Sequence, residues 1–338
     1  MRISIDIMGG DNAPNEIIKG AVKAYRLYDD VDLILVGKSD IIIRELSKYD
    51  LTEKEIGVVH ASQKINMNEK PATALRKKKD SSIYVGSKLV KEHKADAFVS
   101  AGNTGAVMAS GLFNVGRIKG IKRPSIATVF PSRRGEVLVL DAGANVDCNS
   151  INLLQFAIMG QIQAKNVLNI KNPRLGLLSI GEEKEKGNKL TGDTYELLEN
   201  DKRINNFIGN VEGRDIFNGK CDVIVCDGFV GNVVLKTTEG VASFMFDMLK
   251  DAMTKNMRAK IGALLVKPYL KKLLSRVDYR QYGGAPLLGV NGVVIISHGS
   301  SDAQAIQNAI GVTIDTIKTK VVERIKEEID KEGETNGS

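Results

Sequence analysis

Six turns rich in Gly, Asn, Asp and Ser carry most of the residues in this sequence that could do chemistry. Each follows an apolar run typical of a β-strand. The turns read MGGDNAP, AGNTGA, AGAN, GEEKEKGN, DGFVGN and HGSSDA, beginning at Met8, Ala101, Ala142, Gly181, Asp227 and His298. These residue types expose backbone N–H groups and tolerate unusual backbone angles. Because open α/β sheets bind ligands at the carboxyl ends of their strands, the six turns together predict one site.

The turn AGNTGA leads directly into a predicted helix. Its free N–H groups and the positive end of the helix dipole suit a phosphate. We therefore predict a phosphate-binding site at Gly102, Asn103, Thr104 and Gly105, with side-chain donors from the Asn and the Thr. The alternative is a plain helix cap, since both residue types favour that position in any helix. The motif alone does not separate the two.

Three titratable side chains in the other turns are catalytic candidates: Lys184, Asp227 and His298. Lys184 could bring a cation to an anionic substrate while the Glu residues beside it hold it in place; a solvated charge run is the alternative. Asp227 follows a strongly apolar strand, so it is either a functional carboxylate or a helix cap. His298 is either structural or catalytic. The turns also contain three polar residues that we predict to bind substrate, Asp11, Asn145 and Asn232.

Several reaction types are disfavoured by motifs that the sequence lacks. No G-x-G-x-x-G follows the first predicted strand, no G-x-x-x-x-G-K-[ST] occurs, and no G-x-S-x-G offers a serine nucleophile. The three His residues are far apart in sequence, and the three Cys residues lack C-x-x-C spacing. We therefore expect no metal site and no catalytic thiol.

The positive charge is concentrated in one segment. The net charge of the chain is +7, and residues 250–280 contain nine basic and two acidic residues, so the remainder is neutral in sum. Met and Leu residues recur here at helical spacing and predict an amphipathic helix that Pro268 should end. A solvated basic surface is one interpretation. The others are a dimer interface, a docking site for an acidic carrier protein, and contact with an anionic bilayer.

The contact residues expected in this segment are Arg258, Lys260, Leu264, Leu265, Lys271 and Lys272. An interface is the first expectation, with lipid contact as an additional role. Nucleic acid is disfavoured as a partner, because Tyr269 is the only residue between positions 253 and 276 that could stack on bases.

A regular alternation of strands and helices must position the six turns. Nine apolar runs predict strands at Ile3–Ile7, Asp32–Val36, Gly57–His60, Ala95–Ser100, Ser125–Phe130, Val137–Asp141, Leu175–Ile180, Asp222–Cys226 and Val293–Ser297. Helical windows include Asn15–Tyr28, Ser81–His93, Thr104–Val115, Asn149–Gln163, Val230–Met253 and Asp302–Ile329. This alternation predicts the α/β class, with a three-layer α/β/α arrangement around a mainly parallel sheet.

The 338 residues are 43% hydrophobic and 26% charged, as expected for a folded globular chain. Without an obvious linker, we predict a single α/β catalytic domain over residues 1–330, with 250–280 as a helical excursion and 331–338 as a flexible tail. No apolar run approaches the roughly 20 residues of a spanning helix, the N-terminus lacks a signal-peptide core, and three Cys argue against disulfides. These features predict a cytoplasmic location.

Seven ordered motifs resemble the acyl-ACP:phosphate acyltransferase family of bacterial phospholipid synthesis: GGDNAP, SAGNTGA, LDAGAN, IGEEKEKG, VCDGFVGN, DYRQYGGAPLLG and HGSSDA. The resemblance extends from Met1 to about Ile329. It implies a fold similar to that of isocitrate and isopropylmalate dehydrogenases and of phosphate acetyltransferases. It also implies a homodimer without a dissociable cofactor, peripheral association with the cell membrane, and transfer of the product to a membrane glycerol-3-phosphate acyltransferase.

The reaction that the resemblance implies converts fatty acyl carrier protein (acyl-ACP) and inorganic phosphate into acyl phosphate and free carrier protein. Phosphate is then the nucleophile, held by Gly102–Gly105, while Lys184 or N–H groups stabilise the oxyanion and His298 could protonate the leaving thiolate. Two other functions are left to test. One is an NAD-dependent decarboxylating dehydrogenase on the same scaffold, and the other is a non-catalytic membrane adaptor.

Overall fold

The computed structural model describes residues 1–52, 54–277 and 283–335, with backbone alone for residues 268, 270–277 and 332–335. Its strands are β1 Arg2–Asp6, β2 Asp32–Gly37, β3 Gly57–His60, β4 Ala97–Ser100, β5 Ser125–Ile126, β6 Thr128–Ser132, β7 Gly135–Leu140, β8 Leu175–Leu178, β9 Phe207–Val211, β10 Val223–Val225, β11 Ala285–Leu288 and β12 Val293–Ile296. Its helices are α1 Asn15–Leu27, α2 Ser39–Leu46, α3 Pro71–Lys77, α4 Ser82–Lys91, α5 Thr104–Ser110, α6 Ser150–Asn166, α7 Lys189–Asn200, α8 Gly213–Asn218, α9 Gly228–Thr254, α10 Met257–Val277, α11 Ala303–Lys318 and α12 Val321–Thr335. The predicted α/β class is confirmed.

The strands divide between two sheets, where the sequence predicted one. The first sheet has the order β3-β2-β1-β4-β12-β11-β5, and the second has the order β6-β7-β10-β8-β9. Strands β1, β2, β3, β4 and β12 are parallel, as are β7, β10, β8 and β9. Antiparallel pairs occur only toward one edge of each sheet in the described chain, at β5, β11 and β6. The turns therefore collect at two carboxyl edges.

Apolar side chains cover both faces of each sheet, which explains the continuously hydrophobic strands. On the first sheet, Ile5 packs toward α1 and α11, whereas Phe98 packs toward α4 and α5. On the second sheet, Leu140 packs with α6 and α12, whereas Val139 packs with α8. Val139 and Leu140 are neighbours in β7 and enter different cores, as the two-residue period of a strand requires.

The main corrections to the predicted elements concern continuity. The predicted strand Ser125–Phe130 is divided at Ala127, so that β5 joins the first sheet and β6 the second. The predicted helix Asp302–Ile329 is two helices, α11 and α12, separated at Lys320, whose φ of 54° is left-handed. Helix α12 continues to Thr335, while the predicted domain bounds stay a prediction. Helix α5 is shorter than predicted and passes into a π-helical turn at Gly111–Val115.

Pro268 lies within α10 instead of ending it. A proline removes one N–H donor from a helix, and here the segment remains helical on both sides of it. Helix α9 has 27 residues, about 40 Å at 1.5 Å per residue. Its buried residues are Gly228 and Gly231 in the first turn. Helices α9 and α10 contact each other, and most of their apolar side chains are exposed. No helix in the described residues combines the length and the hydropathy needed to cross a bilayer.

Candidate functional site

Three of the six predicted turns meet at the carboxyl edge of the first sheet. They follow β1, β4 and β12, which are neighbours in the sheet. The N–H of Asp11 donates to the Gly299 carbonyl at 2.7 Å, and the N–H of Ser297 donates to the Ser100 carbonyl at 2.9 Å. The amide of Asn12 donates to the Ser300 carbonyl at 3.0 Å. We call this group of turns, residues 8–12, 100–105 and 297–301, the first loop cluster.

A buried carboxylate organises the first loop cluster. Oδ1 of Asp6 accepts hydrogen bonds from the N–H groups of Met8 and Gly9 at 3.0 and 3.1 Å, and Oδ2 accepts one from the Ser100 hydroxyl at 2.7 Å. Burial raises the pKa of the Asp6 carboxyl, against the opposing effect of these bonds and of one from Ser82. A Cβ on Gly9 would clash with Asp6 Oδ2 and lie 2.7 Å from the Gly102 backbone. Only glycine allows the two turns to approach so closely.

Asn103 caps α5, as the alternative interpretation of AGNTGA predicts. Its Oδ1 accepts the Ala106 N–H at 3.0 Å, and its Nδ2 donates to the carbonyls of Met67 at 2.9 Å and of Asn66 and Glu69 at 3.3 Å. The side chain is therefore engaged in holding residues 66–69. The phosphate-binding role of this turn stays a prediction. The N–H groups best suited to it belong to Thr104 and Gly105, at the first two helical positions, where no partner exists within the helix.

His298 lies exposed in the third turn of the first loop cluster. Its Nδ1 accepts the N–H of Ser300 at 3.2 Å and lies 2.8 Å from the Ser300 hydroxyl. An acceptor role for Nδ1 assigns the proton of the neutral ring to Nε2. Asp11 and His298 thus belong to the same cluster as Gly102–Gly105.

The turns after β7 and β10 form a second loop cluster, residues 141–145 and 226–232, at the carboxyl edge of the second sheet. Asp141 is fully buried there. Its Oδ1 accepts the N–H groups of Ile126 and Ala144, both at 3.0 Å, and its Oδ2 accepts the backbone N–H and the Nδ2 of Asn145 at 2.7 and 2.8 Å. Burial raises the pKa of the Asp141 carboxyl, and these bonds oppose it.

Three predicted site residues belong to the second loop cluster. Asn145 is buried, its Nδ2 also donates to the Pro124 carbonyl at 2.7 Å, and its own carbonyl accepts the N–H of Gly228 at 2.8 Å. Asp227 caps α9 by accepting the N–H of Val230 at 2.9 Å, as its alternative interpretation predicts. Asn232 lies against Gly143, where a Cβ would be 3.3 Å from its side chain. Their substrate-binding and catalytic roles remain predictions.

A cavity of about 430 Å³ lies beside the second loop cluster, lined by Lys122, Arg123, Asp147, Cys148, Asn149, Ile151 and Asn152. The Sγ of Cys148 lies 3.5 Å from the Asn145 carbonyl. Burial raises the pKa of the Cys148 thiol to about 11, and burial also raises the pKa of Cys226. Neither thiol is thereby prepared to act as a nucleophile near neutral pH.

Lys184 contacts α7 and neither loop cluster in the described contacts. Its Nζ lies 2.6 Å from Glu199 Oε2 and 5.0 Å from the centre of the Tyr195 ring. The hydrogen bond to Glu199 raises the pKa of the Lys184 ammonium. The rest of its turn is fixed separately, since Lys220 pairs with Glu182 at 2.8 Å. The sequence predicted one site from six turns. The structure brings five of them into two clusters and leaves the sixth on α7.

The predicted contact residues of the basic segment lie on α10. Leu264 and Leu265 are 70% and 72% exposed, and Arg258 and Lys260 are also exposed. Lys271 and Lys272 are within the helix, but their side chains lie outside the described part of the chain, as do residues Asp278 to Tyr282 of the DYRQYGG motif. Among the described residues no group of three or more His, Cys, Asp or Glu side chains could hold a metal ion.

The two carboxylates that hold the loop clusters were not predicted from the sequence. Asp6 and Asp141 each end an apolar strand and precede glycine-rich residues, in IDIMGG and LDAGAN. A charged residue at the end of a buried strand, followed by donors that have lost their ladder partners, is the signal that could have found them. Residues 66–69, which contact the first loop cluster through Asn103, were not predicted either.

Comparison with known proteins places the chain among enzymes of acyl transfer. A sequence profile described as "Fatty acid synthesis protein" matches residues 1–324. The phosphate acyltransferase of Halothermothrix orenii is 65% identical over 334 residues, 99% of this chain and 100% of that protein. The phosphate acyltransferase of Alkaliphilus oremlandii is 52% identical, with 99% of both chains covered.

Solved structures of low sequence identity share the fold. A phosphotransacetylase from Streptococcus pyogenes matches with a TM-score of 0.63 at 17% identity, covering 96% of this chain and 94% of its own. A branched-chain phosphotransacylase from Enterococcus faecalis matches with a TM-score of 0.57 at 14% identity, covering 94% and 99%.

Proposed function

This chain belongs to the fatty acid synthesis protein family, a family of phosphate acyltransferase enzymes, and on that premise we propose that it transfers a fatty acyl group from acyl carrier protein to inorganic phosphate. The products are acyl phosphate, for acylation of glycerol 3-phosphate in phospholipid synthesis, and free carrier protein. The observation that carries the proposal is the first loop cluster, in which three glycine-rich turns meet and two helix-start N–H groups lack helical partners.

In this reaction a phosphate oxygen attacks the thioester carbonyl, the new C–O bond forms, and the C–S bond breaks as the thiolate leaves. The N–H groups of Thr104 and Gly105 would hold the phosphate in position. No residue has to become acylated. The raised pKa values of Cys148 and Cys226 support this direct transfer, because neither thiol is readily ionised.

His298 is the proposed proton donor to the departing thiolate. The hydrogen bonds at its Nδ1 orient the ring and leave the proton on Nε2. A thiol has a pKa of about 8.5, so the thiolate is a good leaving group near neutral pH, and loss of the imidazole should slow the reaction without abolishing it.

Lys184 is the proposed oxyanion-stabilising cation, and in that role it has to leave Glu199. Both side chains of this ion pair are nearly half exposed, so the pair is weakly held and its rearrangement costs little. Asp227 is retained as a catalytic candidate, and Asp11, Asn145 and Asn232 as substrate-binding candidates. Their positions at strand ends support these roles.

We also propose that α9 and α10 serve as the surface for partners. Their exposed apolar side chains suit a homodimer interface and peripheral contact with the cytoplasmic face of an anionic membrane, where a glycerol-3-phosphate acyltransferase would receive the product. The basic residues of the segment, Arg258, Lys260, Lys271 and Lys272, would add attraction to lipid or carrier protein.

The reaction is tested by incubating the purified protein with palmitoyl carrier protein and ³²P-phosphate and trapping acyl phosphate with hydroxylamine. We expect hydroxamate that requires both substrates, and a rate reduced at least tenfold in the Asn103→Ala, Lys184→Ala double variant, from lost positioning and charge stabilisation. The matched control is Lys189→Ala, in an exposed lysine that follows the Lys184 turn. Labelled fatty acid that remains covalently bound to the polypeptide as an obligatory intermediate would contradict direct transfer.

The same preparation separates the two other functions. Reduction of NAD in the presence of a hydroxydicarboxylate, followed as absorbance of the reduced nicotinamide, would indicate the dehydrogenase. Normal acyl phosphate release by the double variant would indicate that Asn103 and Lys184 are not part of the site. Absence of acyl phosphate from the wild type would indicate the non-catalytic membrane adaptor.

A further inference from the structure

A second basic surface lies beside the first loop cluster. Residues 64–79 include six cations, Lys64, Lys70, Arg76, Lys77, Lys78 and Lys79, against one acidic residue, Glu69. The neutral sum outside residues 250–280 concealed this local excess. Most of these side chains are carried by α3 and its two ends.

The packing of α3 separates an apolar face from a charged one. Ala74 and Leu75 are buried in the same core as Ala106 and Val107 of α5. A Cβ on Gly105 would lie 2.5 Å from the Pro71 ring, so the start of α3 contacts the first turn of α5. The other face of α3 is exposed and includes Arg76 and Lys77. Lys79, two residues after the end of α3, is also exposed. Its exposed uncharged residues are Ala72 and Thr73, which offer little apolar surface.

Residues 66–69 connect this charged face to the first loop cluster. Asn103 donates to three of their carbonyls, and a Cβ on Gly299 would lie 3.0 Å from Met67 Cε. Lys78 stabilises the segment internally, because its Nζ pairs with Glu69 at 2.7 Å and donates to the Lys64 carbonyl at 2.8 Å. The segment therefore touches the turns after β4 and β12 and forms one wall of the candidate site.

Four of the cations in residues 64–79 form no ion pair within the described chain: Lys70, Arg76, Lys77 and Lys79. Lys78 does form one, with Glu69. Arg76 is five residues along α3 from Pro71, about 8 Å along the helix axis. Uncompensated charges at this distance from a site raise the association rate of an oppositely charged partner.

We propose that Lys70, Arg76, Lys77 and Lys79 form the docking surface for the acidic carrier protein that presents the acyl thioester. The inference rests on the proposed function, since it names the partner of that same site. A carrier that holds its acyl group on an arm must dock beside the acceptor, and this surface adjoins the first loop cluster. The polar character of the exposed face favours a folded acidic protein over a bilayer, which would require exposed apolar side chains such as those of α10.

The test compares the wild type with the triple variant Arg76→Glu, Lys77→Glu, Lys79→Glu. Binding of unacylated carrier protein is measured directly by surface plasmon resonance at 50 and 500 mM salt, which makes it independent of turnover. We expect the Kd of the triple variant to rise roughly tenfold or more at low salt and the difference to shrink at high salt, because screening shortens the reach of exposed charges.

The matched control reverses three exposed lysines elsewhere that form no ion pair with the described residues, Lys23→Glu, Lys91→Glu and Lys165→Glu. It should bind the carrier within twofold of wild type. A neutral variant, Arg76→Gln, Lys77→Gln, Lys79→Gln, should show a smaller loss of binding, and circular dichroism checks that each variant is folded. Binding to vesicles containing phosphatidylglycerol should be equal in wild type and triple variant.

Turnover with two donors completes the test. The KM for palmitoyl carrier protein should rise in the triple variant, while turnover of the palmitoyl thioester of N-acetylcysteamine, which is uncharged and has no protein to dock, should stay within twofold. An unchanged Kd for the carrier, an equal loss with the N-acetylcysteamine thioester, or a loss of vesicle binding in place of carrier binding would each overturn the docking surface. A wild type that binds the carrier but forms no acyl phosphate from either donor would overturn the proposed reaction and leave the binding result standing.

Discussion

Replacing Asp141 with Asn should destabilise the protein far more than the same replacement at Asp6, although both carboxylates are fully buried at a strand end. Both oxygens of Asp141 face N–H donors, two at each oxygen. An Asn side chain has one oxygen and one NH₂ group, so in either orientation two N–H groups would face another donor. At Asp6, by contrast, Oδ2 faces the Ser100 hydroxyl, which can accept a hydrogen bond as well as donate one.

The magnitude follows from the number of donors left unpaired. A buried donor without a partner costs about 1–3 kcal/mol, so two of them cost about 2–6 kcal/mol. Removing a buried charge offsets part of this cost, as the burial-raised pKa of Asp141 indicates. We expect Asp141→Asn to lower the free energy of unfolding by about 3 kcal/mol and Asp6→Asn to lower it by less than about 1 kcal/mol.

Urea unfolding at pH 7, followed by far-ultraviolet circular dichroism, measures both variants. With a slope of ~3 kcal/mol per M, the midpoint of Asp141→Asn should fall by about 1 M, whereas that of Asp6→Asn should stay within about 0.3 M of wild type. Equal midpoints for the two variants would refute the reasoning from donor geometry.

Three further predictions concern packing, pH and thiol reactivity. Gly231→Ala should lower the free energy of unfolding in urea by about 3 kcal/mol, because its Cβ would overlap the Asp141 carbonyl oxygen. Gly240→Ala in the same helix has no described atom within 4 Å of its Cβ and should raise the free energy of unfolding by about 0.5–1 kcal/mol. Equal effects of the two substitutions would contradict the packing at Gly231. Because burial raises the pKa of Asp6, the folded protein retains that proton to higher pH than the unfolded chain. The stability that follows from this retained proton is present below about pH 3.9 and is lost as pH rises through the folded pKa. The difference in free energy of unfolding between Asp6→Asn and wild type should therefore shift in favour of the variant as the pH rises from 4 to 8. The pKa of Cys148 is raised to about 11 and Cys226 is buried, so the native protein at pH 8 should react with a thiol reagent at least ~10 times more slowly than a free thiol does. In urea, three thiols per chain should react. Fast reaction of the native protein would show that the thiols are accessible.

The sequence predicts strands well where they are apolar on both faces and predicts connectivity poorly. The run VLVLD indicates a central strand because burial on both faces leaves no polar position. The run from Ser125 to Phe130 has the same character, yet Ala127 divides it between two sheets. Nothing local distinguishes a strand that stays in its sheet from one that leaves it. Helices α2, α3, α7 and α8 were not predicted because each buries three residues or fewer, which leaves a weak apolar pattern in the sequence.

The turns of the site were predictable as a class, but their grouping was not. Gly, Asn and Asp after a strand indicate a turn at a strand end from local chemistry alone. Whether two such turns meet depends on strand order, and the sheet order places β12 beside β4 although nearly 200 residues separate them. The capping roles of Asn103 and Asp227 were foreseen as alternatives, whereas the attachment of Lys184 to Glu199 depends on the tertiary position of α7.

The passage of the chain from β5 to β6 has a mechanical consequence. A single residue, Ala127, joins the two strands, and its neighbour Ile126 donates its N–H to Asp141 and accepts the N–H of Ala142. The connection between the two sheets is therefore as short as one residue. The Asp141 carboxylate, which organises the second loop cluster, also anchors this connection. We expect the two sheets to unfold together in one thermal transition. A displacement of one loop cluster should likewise shift the other.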